Sequence, residues 1–295
     1  MSAPRRPARL AGLLVALCAL LAPAARAQLP DVVADIAPVH SLVARVMRGV
    51  GAPRLLIPRD RAPADWQPDA QAMRLLGGAR LVFMVGRQLT PGLARPHALL
   101  ARKVYFIELS EVPGLPLPLP APAVAADGVA EVSPQYWLNP EIARLWLPVI
   151  ADALAEVDPA NAPVYRGNAT DAWVELEMLE RAVAERLRHL AVRGHAVPDE
   201  RFAHFEHAFH LARAAMAGAD ALASADALER LRARGVRCVI LAPGMMTPAL
   251  AERITRAELG AAVLDEMGAG LELGPGLYVR LIERLAEGFA RCLGG

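Results

Sequence analysis

Short apolar runs alternate with amphipathic stretches along most of this chain, and that alternation limits the fold more than any other feature. Brief, fully apolar strands belong in sheets covered on both faces, and parallel neighbours need a crossover, usually a helix. Strands are expected at 32–36, 54–57, 81–85 and 104–107, with helices at 39–50, 68–76 and 91–101 between them. Pro68 suits a first helical turn. After Gly194 the alternation resumes, with strands at 201–205, 236–241 and 261–264 and helices at 207–217, 225–234, 248–258 and 276–292. Between the halves lie a helix at 140–157 and a long one at 162–190, whose Leu176, Leu179, Val183 and Leu187 share one face. The expected fold class is α/β: two βα lobes with mostly parallel sheets, joined by a long helix. The expected division is 28–158, 159–193 and 194–295, preceded by a leader at 1–27. A proline- and alanine-rich stretch at 114–126 reads as a stiff, irregular loop.

The leader sets the compartment. Arg5, Arg6 and Arg9 precede an apolar run at 10–21, and Ala25-Arg26-Ala27 supplies the small-x-small ending of a secretory signal. The run is shorter than the roughly 20 apolar residues that span a bilayer. Leu17 before Cys18 does not fit a lipoprotein site. Cleavage near Ala27 would release a soluble chain outside the cytoplasm, beginning near Gln28. Hydrophobic residues at 55% and charged residues at 21% argue against global disorder. The balance of 32 basic and 31 acidic residues argues against a nucleic-acid partner. Beyond the leader only Cys238 and Cys292 remain, and in an oxidising compartment they are expected to form a disulfide between a strand and the last helix. The alternative is a reactive or metal-binding thiol pair.

The order of motifs resembles the zinc-uptake branch of the metal-binding periplasmic proteins (the ZnuA type). Asp35-Ile36-Ala37-Pro38-Val39-His40-Ser41-Leu42 resembles the opening strand and helix. Leu55-Leu56-Ile57-Pro58 followed by Ala62-Pro63-Ala64-Asp65-Trp66 resembles the second strand and first metal loop. Ser133-Pro134-Gln135-Tyr136-Trp137, Phe205-Glu206-His207 and Val263-Leu264-Asp265 are similar to the segments holding the other three ligands, and the cysteine pair also resembles one found in part of the family. The resemblance implies two lobes around a ligand cleft, no catalytic machinery, a monomer, and delivery of a metal ion to an ABC-type inner-membrane permease.

The resemblance also implies three histidine ligands and often an acid. This chain has Ala64, Gln135 and Glu206 at the histidine positions and keeps only Asp265. The histidine-rich family loop is missing, since 114–126 contains no histidine. Ligands of open α/β folds gather beyond the carboxyl ends of strands. A rewritten metal site is therefore expected from Glu206, Asp265 and Gln135 with His40, His207 or His210. Such donors are harder than three imidazoles, so one divalent ion is expected, with manganese or iron(II) competing better against zinc. His204, His207 and His210 do not form the H-E-x-x-H pattern of a metalloenzyme. His97, His189 and His195 read as solvated. Ala64, Trp66 and Tyr136 could line a pocket for a chelate or an organic ligand instead. A third possibility is an accessory protein that binds no ligand.

Overall fold

The computed structural model describes residues 30–117, 133–212 and 214–294. The leader at 1–27 and most of the proline-rich loop fall outside these residues.

Two four-stranded parallel sheets carry the fold, as the alternation implies. The first has β1 (Val32–Ala34), β2 (Arg54–Leu55), β3 (Leu81–Met84) and β4 (Tyr105–Glu108) in the order β2-β1-β3-β4. Its crossovers are α1 (Ala37–Val46), α2 (Ala70–Gly78) and α3 (Ala94–Leu100). Strands β1 and β3 are wholly buried, as apolar strands between helical layers must be. Asp69 starts α2 by accepting the Ala72 amide at 2.8 Å. Next come α4 (Pro140–Val157) and the long α5 (Ala162–Leu187), whose Leu176, Leu179, Val183 and Leu187 are all buried.

The second sheet has β5 (Gly194–Val197), β6 (Ala215–Met216), β7 (Val236–Leu241) and β8 (Gly260–Val263) in the order β6-β5-β7-β8. Helices α6 (Ala203–Ala208), α7 (Ala219–Ala223), α8 (Ala225–Ala233), α9 (Pro248–Arg256) and α10 (Leu277–Gly294) complete it. Cys238 in β7 and Cys292 in α10 form the expected disulfide, with Cα atoms 5.5 Å apart.

Two expected elements are corrected here. Residues 201–205 are not a strand. Asp199 accepts the Arg201 amide at 3.1 Å, and the chain turns through a 3-10 segment at Glu200–Phe202 into α6. Phe202, Phe205 and Phe209 are buried at helical spacing, which serves the core better than alternation would. The strand lies earlier, at Gly194–Val197. The expected helix at 207–217 is also absent. At His210 the backbone enters the left-handed region (φ 51°), and the chain then runs into β6.

One apolar core runs through both halves, joining Val33, Phe83 and Trp146 to Phe205, Ile240 and Phe289. A smaller core, with Val239, Leu241, Leu250 and Ile254, fills the far side of the second sheet.

Candidate functional site

The loops beyond the carboxyl ends of the two sheets meet through a set of direct bonds. Trp137 Nε1 donates to the Glu266 carbonyl at 2.8 Å, and Tyr278 donates its hydroxyl to the Trp137 carbonyl at 2.8 Å. His204 Nε2 bonds the Ser133 carbonyl at 2.8 Å, and its ring lies 4.7 Å from that of Tyr136. Burial pushes His204 down to about 4, so its ring is neutral near pH 7. Burial and the charge of Glu111 push the Tyr136 hydroxyl up. Arg59 reaches across to the Leu271 carbonyl.

Glu206 is buried in α6. Its Oε1 lies 2.8 Å from Nε2 of His195, and among the described residues its Oε2 accepts only a long bond of 3.4 Å from the Ala214 amide. His195 is fully buried in β5, edge-on to Phe289 with centroids 5.6 Å apart. The reading of His195 as solvated is thereby corrected. Once the strand moves from 201–205 to 194–197, His195 falls among core residues and needs a polar partner. Glu206 supplies it from one helix away.

Asp265, at the end of β8, turns into its own loop. Its Oδ1 accepts the amides of Met267 (2.9 Å) and Gly268 (3.0 Å), and its Oδ2 accepts that of Ala269 (2.6 Å). Gln135 is half-buried and accepts the Ser133 hydroxyl through Oε1. His40 is buried on α1, and its Nε2 meets the Pro53 carbonyl at 3.1 Å, on the amino side of β2. Burial lowers the pKa of His40. His207 and His210 are exposed. Ala64 is exposed and Trp66 half-buried in the turn after β2, while Tyr136 is buried.

Contacts thus unite Ser133, Gln135, Tyr136, His204, Glu266 and Arg201 at the junction. Glu206 and Asp265 are each engaged within the second lobe, and His40 is bonded elsewhere. Among the described residues no three His, Cys, Asp or Glu side chains come together as a metal cage.

Sequence reasoning passed over a nearby ionic network. Arg201 bonds Asp199 through Nε (2.7 Å) and Nη2 (2.6 Å), and Glu266 through Nη1 (3.0 Å). Burial would raise Asp199, but the Arg201 bonds outweigh it and hold that carboxyl below its usual range. Burial dominates at Glu266 and raises its pKa. An arginine two residues after an aspartate is a local signal that a helix-start reading of 199–202 would have used.

Comparison with known proteins decides the family. The model of the family described as "Zinc-uptake complex component A periplasmic" matches residues 32–292. The chain belongs to that family. High-affinity zinc uptake system protein ZnuA of Paracoccus denitrificans is 28% identical, over 92% of this chain and 94% of its own length. The protein of the same name from Brucella abortus is 26% identical over 89% and 91%. A crystal structure of ZnuA superposes with a TM-score of 0.74 at 19% identity, covering 90% of this chain and 99% of that one. FpvC of Pseudomonas aeruginosa in complex with Mn2+ gives 0.75 at 20% identity, over 90% and 99%. The structural likenesses carry the two-lobed α/β fold. Among the described residues no helix is long and apolar enough to cross a membrane.

Chemically, this region offers carboxylate and amide oxygens, with the His195 imidazole behind the Glu206 carboxylate. One oxygen of Glu206 is fixed by His195, leaving the other the more weakly bound. An imidazole standing behind a carboxylate orients it much as outer partners orient metal ligands.

Proposed function

We propose that this protein is the periplasmic solute-binding subunit of an ABC-type divalent-metal uptake system whose donor set differs from that of its zinc-binding relatives. The carrying observation is the state of Glu206, which the motif resemblance sets at the family's third histidine position. His195 holds Oε1 at 2.8 Å, while among the described residues Oε2 keeps only the 3.4 Å contact with the Ala214 amide. That oxygen is the donor a cation recruits most easily. Asp265 and Gln135 join it once their local bonds exchange for the cation, with the nearby His207 or His210 as imidazole donors and His40 as the first lobe's alternative.

Oxygen donors with one or two imidazoles bind zinc less tightly than three histidines, so manganese or iron(II) competes better here. The cargo passes to an inner-membrane permease driven by a cytoplasmic ATPase. The working unit is a monomer without nucleic acid, secreted by cleavage near Ala27, with lobes at 28–158 and 194–295 and the link at 159–193.

Calorimetric titration of the chain from Gln28 onward, stripped with chelator, tests this with zinc, manganese, iron(II) and copper(II). One-to-one binding lost in both Glu206→Ala and Asp265→Ala is the expected result. Three-histidine-like zinc affinity, untouched by either substitution, would sink the altered donor set. A second reading has its own support: both oxygens of Asp265 are taken by three amides, Ala64 offers no donor, and Trp66 and Tyr136 bring aromatic surface. Absence of binding to every ion would favour that reading, a cleft for a metal chelate or small organic ligand, or an accessory protein without cargo.

A further inference from the structure

Among the described residues the two sheets have four edge strands, and three of them are blunted. Strands β2 and β6 are two residues long, and Arg54 of β2 pairs with Asp31 at 3.2 Å. Strand β4 is longer but carries charge, with Arg80 over the Tyr105 ring (5.2 Å) and Arg87 on Glu108 (3.1 Å). These are the usual protections against strand addition.

Strand β8 has none of them. Its sequence is Gly260-Ala261-Ala262-Val263, four residues without charge or proline, and Val263 is 46% exposed. Among the described residues it pairs with β7 on one side only. The Leu264 amide donates to the Leu241 carbonyl at 2.9 Å, which fixes the parity of the ladder. Gly260, Ala262 and Leu264 therefore face β7, and the amides and carbonyls of Ala261 and Val263 point outward. Among the described residues nothing bonds them.

A groove of about 530 Å³ runs along this edge, bordered by Arg237, Glu258 and Arg291. A second, of about 290 Å³, shares Arg291, adds Arg284 and Glu287, and reaches Asp265. The three carboxylates of these grooves are already engaged, Glu258 by Arg232, Glu287 by Arg186 at 3.6 Å and Asp265 by the amides of Met267, Gly268 and Ala269. Arg237, Arg284 and Arg291 have no ion pair or hydrogen bond among the described residues. The edge thus presents unpaired backbone beside three uncompensated positive charges.

We infer that β8 is a docking edge for an extended acidic segment of a partner protein, added as a fifth strand with its carboxylates on Arg237, Arg284 and Arg291. Backbone bonds would supply the affinity of such an addition and the arginines its selectivity. A second copy of this chain fits less well, because a two-fold pairing of β8 edges sets the same arginines against one another. The inference does not depend on what the cleft carries.

The test uses the chain from Gln28 onward and two blocked, labelled peptides of about eight residues, a typical strand length. One alternates Glu with Val, the other Lys with Val. Anisotropy should show saturable binding of the acidic peptide alone, with amide exchange slowed at Ala261 and Val263. Val263→Pro removes an outward amide without touching the β7 ladder, and Arg237→Glu/Arg291→Glu reverses the charge. Each, with an unchanged circular dichroism spectrum, should weaken binding about ten-fold or more. The inference is overturned by no binding, by equal binding of both peptides, or by binding that survives Val263→Pro. Self-association through the same edge, detected by sedimentation and lost in Val263→Pro, would overturn the acidic partner in favour of a second copy.

Discussion

Asp35 shows how one buried side chain writes itself into the behaviour of the protein. Its carboxyl accepts the amides of Ile36 (2.7 Å) and Val85 (2.8 Å), tying the end of β1 to that of β3, yet burial pushes its pKa up to about 7. In the unfolded chain the same group ionises near 3.8. Between those values the folded state holds the extra proton, so this group makes stability fall as pH rises. His204 works the other way: its folded pKa of about 4 lies below the unfolded 6.5, so stability falls as pH drops through that range. Asp35→Asn removes the first contribution. Its stability, measured by urea unfolding from pH 4 to 7, should rise with pH more steeply than that of the parent, by at most about 1.4 kcal/mol per pH unit. An unchanged slope would mean that Asp35 is ionised when folded. The pair of Glu206 and His195 gives a second expectation. Glu206→Ala leaves a buried imidazole without its partner and should cost about 1–3 kcal/mol, whereas Glu206→Gln keeps a bond and should cost less. Equal losses in urea unfolding would show the pair to be idle. The sequence singles out Glu206 through the motif Phe205-Glu206-His207. It does not single out His195, because the burial of that residue depends on which of two neighbouring apolar runs becomes the strand.

That choice belongs to the scale of elements. Strand 81–84 was readable as a continuous apolar run, and 236–241 as an apolar run broken only by the exposed Arg237, each flanked by clear helical stretches. The segment 199–211 was not, because its aromatic residues suit a short strand or a helix face equally well, and only the Asp199 cap decides. The loops of the site depend on similar local fits. A Cβ on Gly92, ahead of α3, would stand 2.2 Å from the Trp66 carbonyl, so this backbone approach requires glycine. Gly92→Ala should displace the turn carrying Ala64 and Trp66 and cost about 1–3 kcal/mol in thermal or urea unfolding. A neutral result would show that the turn yields freely. The disulfide between β7 and α10 closes 54 residues of chain. Replacing both cysteines by serine should cost about 4 kcal/mol through the freer unfolded state, seen as a lower midpoint that reducing agent no longer changes.

At the scale of the molecule, the two sheets suggest two folding units, but the core argues for one. Helix α10 closes the second lobe, yet its Tyr278 bonds the Trp137 carbonyl through its hydroxyl and the Ser41 hydroxyl through its amide at 3.0 Å. Ser41 in turn donates to Pro275, and Arg45 reaches the same carbonyl at 2.6 Å. Phe289 of α10 stacks on Phe205 at 4.8 Å, inside the core that also holds β1 and β3. Removing either half would expose apolar surface and orphan these polar groups, so neither has a stable partner state of its own. Calorimetry of the chain from Gln28 onward should therefore give one transition, with calorimetric and van't Hoff enthalpies equal. A cation that binds only the folded chain should shift that transition as a whole, in proportion to the logarithm of its concentration above Kd. Two transitions, with only one moved by the cation, would mean that the lobes fold separately and that the shared core contributes little to cooperativity. Lobe motion would then be a hinge between independent bodies. A single transition would mean that the bonded loops around Trp137, His204 and Glu266 and the shared core couple the two halves in unfolding.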